Sequence, residues 1–287
     1  MKAASILLTL ALAASTAHAA KPKAPIALEP VAEPRGEHLA APVGTIVLLG
    51  TDNDDQAHAI TTLKLTPRPV ELAFPQDDGF LVASMGGKRL WKKADYPAAG
   101  GSEAVVFGRA DRRVVFVGQS RIGTWALDAL TGKVVQGWDA PVLAPDATWA
   151  LMLPWFNGFT MCLEAPRPIR IRLDARLAAR PVPATPAPKS VVCSDREADG
   201  STVRYAAAIA QAGDRYAVVS VITSPAGAAT TRLELFRAAD DHRIASVDQG
   251  LPAIASLSFS ASGDYLALVP EQTDDKPVEA VWYRIAR

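Results

Sequence analysis

Apolar residues in this chain fall into short blocks separated by small polar turns, and the block-turn-block unit repeats. Its clearest copy runs from Leu257 to Val269, LSFSASGDYLALV. Earlier copies begin at Leu72 (LAFPQDDGFLVAS), Val106 (VFGRADRRVVFVG), Val142 (VLAPDATWALML) and Ala208 (AIAQAGDRYAVVS). Each places one apolar residue (Phe74, Phe107, Leu143, Ile209 or Phe259) before about five turn formers and then an apolar run. Asp, Gly, Pro and Ser supply the turn, while Val, Leu, Tyr and Phe suit a pleated strand. Every copy is therefore predicted to be a β-hairpin.

The strand after each turn says more. Arg113 to Val117 and Tyr265 to Val269 are almost wholly apolar, whereas a sheet with one wet face would alternate. Both faces of these strands need cover. Small sheets stacked radially provide it, because the inner strands of each sheet lie between two neighbours. Gly213-Asp214 and Gly263-Asp264 then have a conformational role, and Val218 and Leu266 pack between sheets.

A second signal follows in TWALDALTGKVVQGW, Thr124 to Trp138, where Thr131-Gly132 forms a tight turn between two strands. Asp128, Thr131, Gly132 and Lys133 resemble the Asp-x-x-Thr-Gly-Lys turn of WD40-like and quinoprotein-type propeller repeats. RLDARLAARPV from Arg172 and LFRAADDHRIASV from Leu235 are looser versions. The resemblance spans most of Val70 to Arg287 and implies an all-β fold, a β-propeller of five or six blades; a β-sandwich with similar hairpins is the alternative. It stops at the repeat turn. The chain is short for an eight-bladed quinoprotein, whose cofactor-binding residues have no counterpart here, so no cofactor is expected. Ring closure has a candidate in the alternating VEAVWYRIAR at the C-terminus, which could pair with GTIVLLG at Gly44 to Gly50.

Three regions follow from composition. Residues 1–20 place Lys2 before an apolar run, Ile6 to Ala14, and small residues ending Ala17-His18-Ala19, the pattern of a cleaved signal peptide. The run is shorter than the roughly 20 residues of a spanning helix, and no later run is long enough. Residues 21–42 are rich in Pro and Ala without a period and are expected to be a disordered tether. Residues 43–287 remain for the propeller-like domain. The expected location is periplasmic or secreted. Lys+Arg and Asp+Glu both number 30, so no long-range field attracts nucleic acid or an anionic membrane face.

Candidate chemistry is sparse. In LMLPWFNGFTMCLE, Asn157-Gly158 predicts a type I′ hairpin turn flanked by Phe156 and Phe159, with Trp155 close by. These aromatics are either a ligand platform or cross-strand packing. Cys162 and Cys193 are expected to pair in an oxidising compartment, with two buried free thiols the alternative. Neither has metal-ligand spacing. GQSRIG at Gly118 to Gly123 is one residue too long for a nucleophile elbow and reads as a hairpin turn. GKRLWKK lacks the glycine spacing of a phosphate loop. TDNDD at Thr51 to Asp55 and SDREADGS at Ser194 to Ser201 offer oxygen ligands for calcium, but TDNDD lacks the glycine and glutamate of a calcium loop, and both read as exposed turns. No spaced set of His, Asp and Glu predicts a catalytic site. The reading is a noncatalytic interaction module for a protein or cell-envelope component, against a propeller hydrolase, a quinone-dependent oxidoreductase or a small-ligand sensor.

Overall fold

The computed structural model describes residues 26–40, 48–50, 60–73, 81–93, 104–119, 123–154, 156–157, 162–163, 167–183, 202–224, 226–249, 254–270 and 278–286. Two short strands come first, β1 (Ala27–Val31) and β2 (Leu48–Gly50). One antiparallel meander then runs through β3 (Ile60–Leu63), β4 (Val70–Ala73), β5 (Leu81–Met85) and β6 (Lys88–Lys93). The next runs through β7 (Ala104–Gly108), β8 (Val114–Gln119), β9 (Gly123–Asp128) and β10 (Val134–Leu143). The far half of β10 opens the third, which continues through β11 (Trp149–Leu153), the two-stranded hairpin β12 (Phe156–Asn157) and β13 (Cys162–Leu163), then β14 (Ile169–Arg172) and β15 (Ala179–Pro181). The fourth is β16 (Thr202–Ile209), β17 (Arg215–Thr223), β18 (Ala229–Arg237) and β19 (Arg243–Gln249). In the last, β20 (Ile254–Phe259), β21 (Tyr265–Pro270) and β22 (Val281–Ala286) are completed by β1.

β10 belongs to two meanders at once. Val134 and Val135 pair with Leu127 and Ala126 of β9, and after a register shift Val142 and Leu143 pair with Leu151 and Ala150 of β11.

The strands after the turns are buried on both faces because successive side chains enter different cores. In β8, Val115 and Val117 join Leu63, Val70, Leu72, Leu81 and Ala83 of the first meander. Val114 and Phe116 point the other way, against Ala150, Met152, Ile169 and Ile171 of the third. Trp149, Leu151 and Leu153 meet Tyr216, Val218 and Phe236 of the fourth. Ala217, Val219, Leu233 and Leu235 meet Leu257, Phe259, Leu266, Leu268 and Tyr283 of the fifth. Sheets stacked face to face in chain order, the second to fourth each buried between two neighbours, are the blade construction of a β-propeller, and the fold is all-β and propeller-like. A two-sheet sandwich would give one shared core rather than a succession.

One hairpin register recurs through the molecule: Leu63↔Val70, Gly108↔Val115, Leu143↔Ala150, Ile209↔Tyr216 and Phe259↔Leu266 are all opposed pairs. In the last three the turn closes identically, with the amides of Ala147, Gly213 and Gly263 donating to the carbonyls of Ala144, Ala210 and Ser260. The donor residue is left-handed each time, at φ 51°, 70° and 75°. Glycine adopts this freely, whereas Ala147 carries a Cβ against it.

Several expectations are corrected. The copy read from Leu72 is an antiparallel β4–β5 hairpin, with Ala73 opposite Val82, but the hairpin that shares the recurring register lies one strand earlier, at Leu63 to Val70. Its turn, KLTPRP, is proline-based and so does not match the Asp/Gly pattern of the others. The C-terminal strand pairs with β1 and not with Gly44 to Gly50: Ala27 opposes Ala286 and Val31 opposes Trp282, whereas Leu48 to Gly50 pair with β7. The expected tether is therefore ordered over 26–40. Its prolines misled because β1 is a sheet edge, where a residue without an N–H is tolerated. Leu28 is buried among the side chains between the fourth and fifth meanders. The type I′ turn at Asn157-Gly158 is also replaced, since Asn157 opposes Cys162 and four residues separate the pair.

Candidate functional site

The turn motif that stood out in the sequence is architectural. Asp128, at the end of β9, is fully buried. Its carboxylate accepts Arg113 Nε at 3.1 Å and Nη2 at 2.5 Å and the Leu130 amide at 3.0 Å. Gly132 (φ 67°) donates to the Asp128 carbonyl at 2.8 Å, and the Asp128 amide donates to the Lys133 carbonyl at 2.9 Å. The fourth meander repeats this lattice with Arg237, Asp241 and His242 in the places of Asp128, Gly132 and Lys133, and Asp241 is left-handed at φ 57°. GQSRIG is a β8–β9 hairpin, with Gln119 opposite Gly123 and strand on both sides.

Asp241 brings together a charged cluster between the third and fourth meanders. Arg170, on β14, donates from Nη1 to Asp241 Oδ1 at 2.8 Å and also to the Ala238 carbonyl. Arg180 Nε of β15 lies 2.7 Å from Asp241 Oδ2, and the Tyr216 hydroxyl donates to Oδ1 at 3.0 Å. The Arg170 guanidinium lies 4.2 Å from the ring centre of Trp149. Trp149 meets Tyr216 edge-on at 5.9 Å, and Tyr216 stacks on Phe236 at 5.1 Å. Burial, and after it the negative charge of Asp241, pushes the Tyr216 phenol far above the usual tyrosine range. It is a proton donor at any physiological pH.

Beside this cluster opens a cleft of about 490 Å³ lined by Thr148, Trp149, Arg170, Arg172 and Arg180. Arg172 is 70% exposed and pairs with Asp174 at 3.2 Å. The arginines reach one cleft because β14 reads Ile-Arg-Ile-Arg. Ile169 and Ile171 enter the core against the second meander, which turns Arg170 and Arg172 to the opposite face, and Arg180 is paired beside Arg170. This alternation is the sequence signal that marks the site, and it ends where the loose turn copy read from Arg172 begins.

A wider groove, about 900 Å³, lies where the N-terminal segment passes the last sheet. Val31, Leu39, Val281 and Trp282 give it apolar surface, and Glu33, Glu37, Glu279 and His38 surround that surface. The segment is held at its far end by β-type bonds: Ala40 N–H donates to the Phe259 carbonyl at 2.8 Å and Ala261 N–H to the His38 carbonyl at 2.7 Å. Glu37 accepts the Ser262 hydroxyl at 3.0 Å, and Leu39 is 46% exposed. Reading residues 21–42 as a tether hid this groove from sequence reasoning.

Trp155, Phe159 and Cys193 lie outside the described residues, as do Thr51 to Asp55 and Ser194 to Ser201. Phe156 and Cys162 are described only as backbone in β12 and β13. Among the described residues no group of His, Cys, Asp and Glu could hold a metal ion, and no helix is long and apolar enough to cross a membrane.

No family model matches the chain, and no curated protein matches it. Among solved structures, it is similar to the Cps50 (Swd1) β-propeller domain of Myceliophteria thermophila, at 14% identity and a TM-score of 0.36, over 74% of this chain and 66% of that one. It is also similar to the Dos1 propeller, at 8% identity and a TM-score of 0.34, over 71% of this chain and 50% of that one. The chain thus spans less than two thirds of the length of both structures.

Proposed function

We propose that this protein is a noncatalytic binding module, exported to the periplasm or cell exterior, that holds a basic segment of a partner protein in the groove between residues 31–39 and the last sheet. The groove itself carries the reading. Apolar lining from Val31, half-exposed Leu39 and Val281 offers area for side-chain burial, and three glutamates in the same lining favour lysine or arginine on the occupant. The noncatalytic part draws support from the buried carboxylates: Asp128, Glu234 and Asp241 are each held by arginine, an arrangement that fixes structure. The exported part rests on residues 1–20 and on the expected Cys162–Cys193 bridge.

The test is a titration of the protein with a short peptide alternating Lys and Leu, followed by Trp fluorescence and calorimetry. Binding is expected to weaken with salt and to fall about tenfold or more in a Glu33→Gln/Glu279→Gln variant. Binding that ignores salt and both substitutions would overturn the reading. Mass analysis of unreduced proteolytic fragments tests the export part through the disulfide: a Cys162–Cys193 peptide is expected, and two free thiols in protein recovered from the envelope would contradict it.

A further inference from the structure

We propose that the cleft on the third meander, beside its joint with the fourth, is a second, separate binding site, which takes the oxyanion of a small phosphate- or carboxylate-bearing molecule. Three guanidiniums line it, from Arg170, Arg172 and Arg180, together with the edge of Trp149 and Thr148. Two carboxylates oppose them, Asp241 shared by Arg170 and Arg180, and Asp174 on Arg172. One positive charge is left over at the cleft. The hydrogen-bond inventory points the same way. Among the described residues, Arg170 meets its acceptors through Nη1 and Arg180 meets Asp241 through Nε. The other N–H groups of both forks have no acceptor among the described residues, and a guanidinium fork matches the paired oxygens of carboxylate or phosphate.

Preorganisation separates this cleft from a loose patch of surface arginine. Arg170 is only 14% exposed and lies over the Trp149 ring, while Trp149 is braced by the Tyr216–Phe236 stack. Arg180 is anchored by the same buried carboxylate. Ordering long side chains is a main entropic cost of binding, and here two of the three are ordered beforehand. The cleft volume, about 490 Å³, suits a small molecule rather than a protein segment.

The probes are inorganic phosphate and succinate, each titrated calorimetrically into the full mature protein at constant ionic strength, with chloride as the control anion. A Kd of about 1 mM or tighter is expected for at least one probe and none for chloride. The stronger probe names the ligand class. Arg172→Ala, at an exposed position, should weaken binding at least about threefold and the double variant Arg172→Ala/Arg180→Ala at least about tenfold. Arg172→Ala should keep the wild-type thermal midpoint, so that its loss of binding is not a loss of fold. Absence of heat with both probes overturns the site, as does equal affinity in wild type and the double variant. The Glu33→Gln/Glu279→Gln protein should bind the anion normally, which separates this site from the acidic groove.

Discussion

Ala147 sits where two sister turns carry glycine, at φ 51° and with its side chain buried. A left-handed alanine costs about 1–2 kcal/mol, and glycine gives back part of that through the freedom of its unfolded chain. Ala147→Gly is therefore expected to stabilise the protein by up to about 1 kcal/mol, read as a higher urea midpoint with unchanged slope. Leu266 shows the opposite sensitivity. It is fully buried between the fourth and fifth meanders, and Leu266→Ala should cost about 2–5 kcal/mol by leaving a cavity. Tyr205 gives a pH signature. Burial, with the charge of Glu234 adding to it and that of Arg167 opposing, pushes its phenol up to about 12. In the unfolded chain a phenol titrates near 10, so above that pH the unfolded state loses its proton first. The contribution is complete below pH 10 and lost as pH rises through about 12. Tyr205→Phe should flatten the alkaline fall in stability, measured by denaturant unfolding at stepped pH.

Turns and strands divide the work between fixing geometry and filling space. Asp128→Ala removes the buried acceptor of the part-exposed Arg113 and of the Leu130 amide, and should cost about 2–3 kcal/mol. Asp111, 53% exposed on Arg109, should cost no more than about 1 kcal/mol when replaced by alanine. Equal losses in urea unfolding would mean that the β9–β10 turn does not organise its meander. These elements were readable in advance because their signals are local. Asp-x-x-Thr-Gly-Lys requires a left-handed glycine, and an unbroken apolar run such as Val114 to Val117 requires two covered faces. What escaped reading was pairing between distant segments. Nothing near Ala27 to Val31 announces β22, because a five-residue edge strand with one buried leucine has no period to detect. The arginine cleft escaped for a related reason: Arg170 and Arg180 become neighbours of Asp241 only once two meanders stack. The acidic groove likewise needs the N-terminal segment laid along the last sheet.

Across the entire molecule, the apolar cores form a chain of contacts in which each sheet is covered by the next, so stability lost at one joint is felt at its neighbours. The joint made by β1 is testable by truncation. A chain starting at Ile26 should keep the thermal midpoint of the mature protein, whereas one starting at Ala32 should melt several degrees lower, because it uncovers β22 and removes Leu28. Equal midpoints would show that β1 contributes nothing. The same pairing also sets a clock. Glu29 and Arg284, joined by an ion pair, are 255 residues apart, so at about 5–20 residues per second the first strand leaves the ribosome roughly 10–50 s before its partner exists. During that interval β1 is an unpaired edge, open to a chaperone or to the β22 of another copy. Until Val281 to Ala286 have been made, the last sheet has no seam, so the arrival of β22 is the event that ends this exposure.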